Sequence, residues 1–273
     1  MKKKTNMRWV YVALSLIAAL PLGMSATKAI AADSDGDGFS DDLENAGICL
    51  PTGNSCGNAP TFPPCADGAT PAYCVDSNRK DLFVILRQAA SSLLPADLLY
   101  LIPIALEENG LDVSIHIIGE DLAGDDREIT ASQKAVRITE VTETPQPILG
   151  YCPQGTPNGR DDATVYTGAI DQFVSDLCTS GKTCRAYLGE TLLSGVENVI
   201  DAYIRYVTIH EVGHTTMLSI NYNSRFGGNH YKTGTGYIMD QTVVYKESNK
   251  ENSVTFYFPE KYAGESQLGV QLF

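Results

Sequence analysis

Residues 194–214 read SGVENVIDAYIRYVTIHEVGH, and the interpretation of the whole chain starts from this stretch. Apolar or aromatic side chains recur in it every three or four residues, the spacing that places them on one face of an α-helix. These positions are Val196, Val199, Ile200, Tyr203, Ile204 and Val207. Ser194 and Glu197 have the spacing of a capping box, which marks the start of a helix. The sequence therefore predicts a long amphipathic helix with one face toward the core.

The predicted helix ends on the pattern H-E-x-x-H, formed by His210, Glu211 and His214. Residues four apart lie on one face of a helix, so both imidazoles can bind one metal ion. The apolar stripe continues onto this face, which directs the three side chains toward the interior. The pattern predicts a catalytic zinc ion held by the two histidines, with Glu211 as general base. Two surface histidines beside a glutamate are the alternative, which the inward orientation disfavours.

A catalytic zinc ion takes three protein ligands and leaves one position open, so a third ligand is required. The chain has four histidines, and the one that follows the helix is His230, after a Gly-Gly pair that can turn the chain back. Asp240 and Glu247 are carboxylate alternatives for the same position. His116 lies in an alternating, strand-like run and is predicted to be a strand residue and not a ligand.

Over roughly residues 80 to 245 the chain resembles the metzincin metalloproteases, with specific motifs only from 210 to 240. In that family the zinc helix is followed by a third histidine and then by a tight turn whose methionine lies beneath the metal. The resemblance implies that the zinc ligands are His210, His214 and His230. It also implies that Glu211 is the general base and that Met239 is the turn methionine. The chain departs from the family at Met217 and Ile220, where the family has glycine and its third histidine. An insertion of ten residues therefore precedes His230.

Strand-like and helix-like segments alternate before the zinc helix. Apolar runs at residues 82–86, 113–118 and 136–141 predict strands, and residues 163–177 are predicted to be helical. This alternation predicts an α+β fold with a mixed sheet. The metzincin resemblance implies a zincin-like, two-lobed catalytic domain with an active-site helix and a loop-rich lower lobe.

The first 31 residues have the organisation of a secretory signal peptide. Basic residues at Lys2, Lys3, Lys4 and Arg8 precede an apolar run over 10–20 that is too short to span a bilayer, and Ala-Ile-Ala precedes the cleavage site. This disfavours an uncleaved membrane anchor and predicts a secreted or periplasmic protein. The expected organisation is a signal peptide over residues 1–31, a calcium-binding loop segment over 32–48, a Cys/Pro-rich segment over 49–78 and a zinc metallopeptidase domain over 79–273.

The net charge of the chain limits the classes of partner that it can bind. The formal net charge is −13, and removing residues 1–31 takes away five basic residues and no acidic ones, which lowers it to −18. Such a surface disfavours nucleic acid and anionic membrane as partners. No later segment reaches the roughly 20 apolar residues of a transmembrane helix. The expected partner is a protein or peptide substrate, without nucleic acid and without membrane after signal cleavage.

Residues 33–44, DSDGDGFSDDLE, match a calcium-binding loop position by position. Oxygen ligands alternate along it, Gly38 permits the sharp turn and a glutamate closes it. The predicted calcium ligands are the side chains of Asp33, Asp35, Asp37, Asp41 and Glu44 and the backbone carbonyl of Phe39. The loop resembles the single calcium loops of thrombospondin type 3 and dockerin-like repeats, which implies a structural ion and not a switch. An acidic disordered tail is the alternative, but it would not require the glycine or the terminal glutamate.

The cysteines all lie in the part of the chain predicted to be exported. They number seven, at Cys49, Cys56, Cys65, Cys74, Cys152, Cys178 and Cys184. In an oxidising compartment they are predicted to form disulfides, with Cys178 and Cys184 closing a short loop. The odd number leaves one thiol over. One hypothesis is that Cys56, followed by glycine as in the latency switch of matrix metalloproteases, binds the zinc ion; a disulfide at Cys56 is the favoured alternative.

The function expected from these features is peptide-bond hydrolysis by a secreted, zinc-dependent endopeptidase that also binds calcium. The alternative from another class is a calcium-binding surface or adhesion protein whose zincin domain is catalytically silent. The presence of Glu211 disfavours that alternative, because a degenerate site tends to lose its base. A zinc hydrolase acting on a non-peptide amide is the second alternative.

Overall fold

The structure is a computed structural model that describes residues 32–50, 61–66, 73–95, 113–119, 128–130, 133–144, 148–152, 162–179, 181–215, 238 and 243–259. All of them belong to one unit of the chain, Ala31–Phe273. The predicted signal peptide, residues 1–31, lies outside the described residues. Within the described part, no helix is both long enough and apolar enough to cross a membrane.

The described residues form three helices and eleven strands. The helices are α1 (Asp41–Ala46), α2 (Thr167–Leu177) and α3 (Val196–Thr215). The strands are β1 (Lys80–Arg87), β2 (Val113–Ile118), β3 (Glu128–Thr130), β4 (Gln133–Lys134), β5 (Val136–Glu140), β6 (Gly150–Tyr151), β7 (Asp162–Val165), β8 (Thr183–Leu188), β9 (Thr191–Ser194), β10 (Val244–Ser248) and β11 (Ser253–Phe258). The predicted α+β class is confirmed at this level.

The largest sheet has five strands in the order β2-β1-β5-β7-β6. The first four are parallel to one another, and β6 is antiparallel to β7 at the end of the order, so the predicted mixed sheet is present. The predictions for 82–86, 113–118 and 136–141 correspond to β1, β2 and β5. The prediction for 163–177 is wrong at its start, because Asp162–Val165 forms β7 and the helix begins only at Thr167.

A second sheet of four strands, in the order β10-β11-β8-β9, combines two strands that precede helix α3 in the chain with two that follow it. The expectation that the chain becomes loop-rich after the helix is wrong for residues 244–258, since β10 and β11 lie there. In β11 the side chains of Val254, Phe256 and Phe258 are buried and alternate with less buried ones, the period of a strand with one covered face. Strand β11 pairs in parallel with β8, which precedes the helix.

Helix α3 contacts strands of both sheets as well as α2, and its buried residues belong to the main core. The predicted apolar stripe is confirmed: Val199, Tyr203, Ile204 and Val207 are buried, and the flanking members of the stripe pack against the same core. The predicted capping box is wrong by one residue. Ser194 is still paired in β9, and Gly195, with a φ of 101° that favours glycine, occupies the N-cap position.

Strand β1 is buried on both faces, and the two faces belong to different cores. Leu82 and Val84 pack with α3 in the main core. Phe83 and Ile85, on the opposite face, pack with Phe39 of the predicted calcium loop in a second core. The second core also contains Ile48, Phe62, Val75, Ile118, Ile129 and Ala135. The N-terminal segment therefore shares a core with the first strand of the large sheet.

Two disulfides are described. Cys178–Cys184 closes the short loop between α2 and β8, as predicted, and Cys65–Cys74 joins two parts of the Cys/Pro-rich segment. Cys49 is also disulfide-bonded. Cys56, the residue of the latency hypothesis, lies outside the described residues. The hypothesis that it binds zinc therefore stays a prediction.

Candidate metal centre

The two histidines of the helix bring their ring nitrogens together. His210 Nε2 and His214 Nε2 are 3.1 Å apart, and both residues are buried, at 6% and 7% exposure. Two nitrogens bound to one tetrahedral zinc ion, each 2.0–2.1 Å from it, are separated by about 3.3 Å. The spacing of four residues on α3 thus produces a nitrogen pair with the separation that one zinc ion requires.

The second ring nitrogen of His210 makes a hydrogen bond that fixes the orientation of the ring. Its Nδ1 lies 2.6 Å from the backbone carbonyl oxygen of Ile238, a buried residue that belongs to the main core. Because a carbonyl oxygen can only accept, Nδ1 carries the proton and Nε2 keeps its lone pair. A metal-binding histidine is normally held in this way by an acceptor on its second nitrogen.

Glu211 lies between the histidines in sequence and shares their site. One carboxylate oxygen of Glu211 and one nitrogen of each histidine lie within 4.8 Å of one another. Burial raises the pKa of Glu211 to about 8. Its Oε2 is buried and has no hydrogen-bond partner in the described part of the chain. The site thus holds a buried carboxylate that can take up a proton near neutral pH.

Gly150 of the edge strand β6 lies directly against Glu211. A Cβ atom built on Gly150 would collide with Glu211 Oε1 and would lie 2.7 Å from Val207 Cγ1. Contacts this short do not occur for real Cβ atoms, so the close approach of β6 to α3 requires glycine here. Sequence analysis did not single out Gly150, because its neighbour Glu211 is 61 residues away in the chain.

The structure describes only some of the other residues that the sequence predicted for the zinc site. His230, Met239 and the alternative ligand Asp240 lie outside the described residues. The alternative ligand Glu247 lies on β10, is exposed and receives a bond of 3.1 Å from Lys182 Nζ. His116 lies on β2, as expected for a strand residue. The described residues thus contain two of the three predicted zinc ligands and the base.

The predicted calcium loop folds as a tight turn around Asp33. One oxygen of its carboxylate accepts the backbone N–H of Gly36 at 2.7 Å, and the other accepts that of Gly38 at 3.1 Å. Oxygens of Asp33, Asp35 and Asp37 lie within 4.8 Å of one another. Burial, followed by neighbouring carboxylates, raises the pKa of Asp35 to about 7, and burial raises that of Asp37 to about 6.

Two other predicted calcium ligands behave differently. The Asp41 carboxylate accepts the Ser34 hydroxyl at 2.7 Å and the Ser34 backbone N–H at 2.8 Å, which holds the pKa of Asp41 below its usual value. Asp41 belongs to neither carboxylate group of this region. The Phe39 side chain, at 1% exposure, is buried in the second core, and its backbone N–H donates to Asp37 Oδ1. Phe39 therefore anchors the loop to the core.

A second carboxylate group joins the loop to the large sheet. Oxygens of Asp37, of Glu44 in α1 and of Asp81 in β1 lie within 4.8 Å of one another, and all three residues are buried. The His116 ring donates from Nε2 to Asp81 Oδ1 at 2.7 Å. Sequence analysis missed Asp81 and His116 as part of this region. The available signal was the position of Asp81, a carboxylate directly before the apolar run 82–86 of β1.

Comparison with known proteins gives no assignment. No model of a known protein family matches the chain, and no curated protein sequence matches it.

Proposed function

We propose that the chain is a secreted zinc-dependent endopeptidase. The observation that carries the proposal is the arrangement on α3: two buried imidazole nitrogens 3.1 Å apart, and beside them a buried carboxylate with an unpartnered oxygen. A polar atom buried without a partner costs free energy, so such an arrangement is expected where a ligand completes it. The proposed ligand set is His210, His214 and His230.

The donors fit zinc better than the other common metals. Imidazole nitrogens suit zinc, whereas calcium and magnesium prefer oxygen ligands. The His210 ring already has the required tautomer, since its Nδ1 donates to the Ile238 carbonyl. Ile238 directly precedes Met239, which agrees with the proposal that a methionine turn lies beneath the metal. When bound, zinc would lower the pKa of a coordinated water toward about 7 and polarise a carbonyl group.

The chain's own residues would handle the proton. Glu211 would accept a proton from the attacking water and pass it to the nitrogen of the leaving amine. Its surroundings suit both steps, because burial raises the pKa of Glu211 to about 8 in the metal-free protein. A carboxyl group with a pKa near the working pH can both accept and donate a proton.

The edge strand β6 is the proposed docking place for the substrate. It is the last strand in the order of the large sheet, and its Gly150 touches Glu211. An extended peptide can pair with the free edge of a sheet through main-chain hydrogen bonds. Ile148 and Tyr151, at 43% and 48% exposure, flank Gly150 and offer apolar contact to substrate side chains. A peptide bound there would pass the base.

Calcium binding by the N-terminal loop and export through a signal peptide complete the proposal. The loop brings three aspartate carboxylates together, and oxygen-rich acidic groups of this kind suit calcium. Disulfides such as Cys65–Cys74 and Cys178–Cys184 persist in oxidising compartments, which agrees with export. The protein is proposed to act on proteins or peptides outside the cytoplasm.

The test is an assay of the purified mature protein on casein and a mixed peptide library, together with a measurement of bound zinc. The proposal expects about one zinc ion per chain and cleavage that stops when phenanthroline removes zinc and returns when zinc is added. A zinc-bearing protein that cleaves no peptide contradicts the proposal. That outcome would favour an adhesion protein with a catalytically silent zincin domain. If the protein hydrolyses a non-peptide amide instead, it is a zinc hydrolase of a different specificity.

A further inference from the structure

Three carboxylates from two parts of the chain meet in a buried place that the zinc chemistry does not use. Asp37 comes from the loop, Glu44 from α1 and Asp81 from β1, and their exposures are 0%, 1% and 0%. One oxygen of each lies within 4.8 Å of the others. Two oxygens on opposite sides of one calcium ion, each 2.3–2.6 Å from it, are about 4.6–5.2 Å apart.

Glu44 is the member that no N–H group holds in place. Both of its carboxylate oxygens are buried, and within the described part of the chain their close polar neighbours are the carboxylates of Asp37 and Asp81. The ammonium group of Lys80 is engaged elsewhere, since its Nζ donates to the carbonyl oxygens of Asp35 at 2.6 Å and Gly36 at 3.0 Å. Three buried carboxyl groups this close together cannot all be ionised at low cost unless a cation joins them.

The other two members are already held in place. Asp37 Oδ2 accepts the backbone N–H of Asp81 at 2.7 Å, which ties the loop to the start of β1. Asp81 Oδ2 accepts the backbone N–H of Asp76 at 3.2 Å, and Asp81 Oδ1 accepts from His116. A carboxylate offers about four lone-pair sites, so these bonds leave capacity for a metal. Ligands fixed by further hydrogen bonds are typical of metal sites.

We propose that Asp81 of β1 is a calcium ligand together with Asp37 and Glu44, so that one ion joins the N-terminal loop to the large sheet. The inference rests on the proposed calcium binding of the loop and adds to it a ligand 37 residues beyond Glu44. Oxygen-only donors favour calcium over zinc. The ion then sits beside the second core, where Phe39 packs against Phe83. Calcium stabilises the attachment of the loop to the domain and not the loop alone.

Hydrogen exchange tests the inference on the unaltered mature protein. Amide exchange is measured with calcium and with EGTA, and the peptides that cover 33–44 and 80–87 are compared. The expected result is slower exchange in both segments when calcium is present, because the ion binds both. Protection confined to 33–44 overturns the inference but leaves the calcium loop intact. Absence of any calcium binding overturns both.

Asp81→Asn gives an independent test with a matched control. Removing one charged ligand is expected to weaken calcium binding, measured by titration calorimetry, by at least about ten-fold, and to reduce the calcium-dependent rise of the melting temperature. Glu140→Gln alters another buried carboxylate of the same sheet, which binds the backbone N–H groups of Ala89 and Leu93. This control is expected to keep wild-type calcium affinity. Wild-type affinity in Asp81→Asn overturns the inference.

His116 is proposed to position Asp81 and not to bind the ion. Its ring packs against Phe83, with centroids 4.6 Å apart, and its Nε2 donates to Asp81. His116→Gln keeps a donor and is expected to retain calcium affinity, whereas His116→Phe removes it and is expected to weaken binding about ten-fold. Equal affinities in the two variants contradict the positioning role.

Discussion

The Nδ1 atom of His210 lies 2.6 Å from the carbonyl oxygen of Ile238, 28 residues further along the chain. This bond selects the tautomer in which Nε2 carries the lone pair. It also places the carbonyl group of Ile238, the residue just before Met239, against the first histidine of the H-E-x-x-H helix. The relationship connects the two ends of the proposed zinc site, because one residue is on α3 and the other follows the ten-residue insertion.

Replacing Glu211 by alanine is expected to lower peptide hydrolysis by about 10²–10⁴-fold, the usual effect of losing a general base. Zinc content should stay near one per chain, because Glu211 is proposed as base and not as ligand. Activity is measured by peptide cleavage, and zinc content by atomic absorption. Glu197→Ala, an exposed change at the start of the same helix, serves as control and should alter neither. Zinc loss or full activity in Glu211→Ala contradicts the assignment.

His230→Ala is expected to lower zinc occupancy and activity together, because it removes one of three proposed ligands. Zinc is measured after dialysis against a weak chelator, and Asp240→Ala and Glu247→Ala are treated in parallel. Glu247 binds Lys182 at the surface, so its replacement should leave zinc bound. If zinc stays in His230→Ala and is lost from one of the carboxylate variants, the third ligand is that carboxylate and the metzincin-like arrangement is wrong.

Gly150→Ala is expected to reduce kcat/KM by about 100-fold, because the new Cβ would displace the Glu211 carboxylate or the edge strand. Leu192→Ala, an exposed change on β9 of the other sheet, is the control and is expected to keep wild-type kcat/KM. Melting temperatures and zinc contents of both variants are measured beside the kinetics. A Gly150→Ala protein with wild-type kcat/KM would show that β6 does not approach the base in solution.

The stability of the metal-free protein is expected to fall as pH rises. Burial, then the charges of Asp37, Asp35 and Asp81, raises the pKa of Glu44 from 4.5 to about 9. Between these values Glu44 therefore holds a proton in the folded chain that it has lost in the unfolded chain. The stabilising effect of this proton is fully present below about pH 4.5 and is lost as pH approaches about 9. Bound calcium should reverse the trend, because the metal requires the ionised carboxylates.

Thermal melts in EGTA across this pH range provide the measurement. Wild-type protein should lose more stability with rising pH than Glu44→Gln, which has no carboxyl group to titrate at this position. Glu197→Gln controls for the general effect of removing one acidic group from an acidic protein. Parallel curves for wild type and Glu44→Gln would contradict the proposed protonation.

Much of the fold follows from local periodicity. The apolar run at 113–118 has the bounds of β2, and the stripe on 196–207 is the buried face of α3, since a repeat of two or of 3.6 residues places side chains on one face. The strand at Asp162–Val165 was missed because four residues contain too few repeats to distinguish a strand from the first turn of a helix. The second sheet was missed because the paired residues of β8 and β11 are 70 positions apart in the chain.

The sequence by itself determined the pairing of His210, Glu211 and His214, because the helix geometry that unites them operates over four residues. Only the tertiary structure brought Ile238 to His210, Gly150 to Glu211, and Asp81 to Glu44. These contacts join residues between 28 and 61 positions apart. Such pairs meet because the strands and helices that carry them bury their apolar faces against one another. That packing depends on the whole set of elements, so no local pattern in the chain records it.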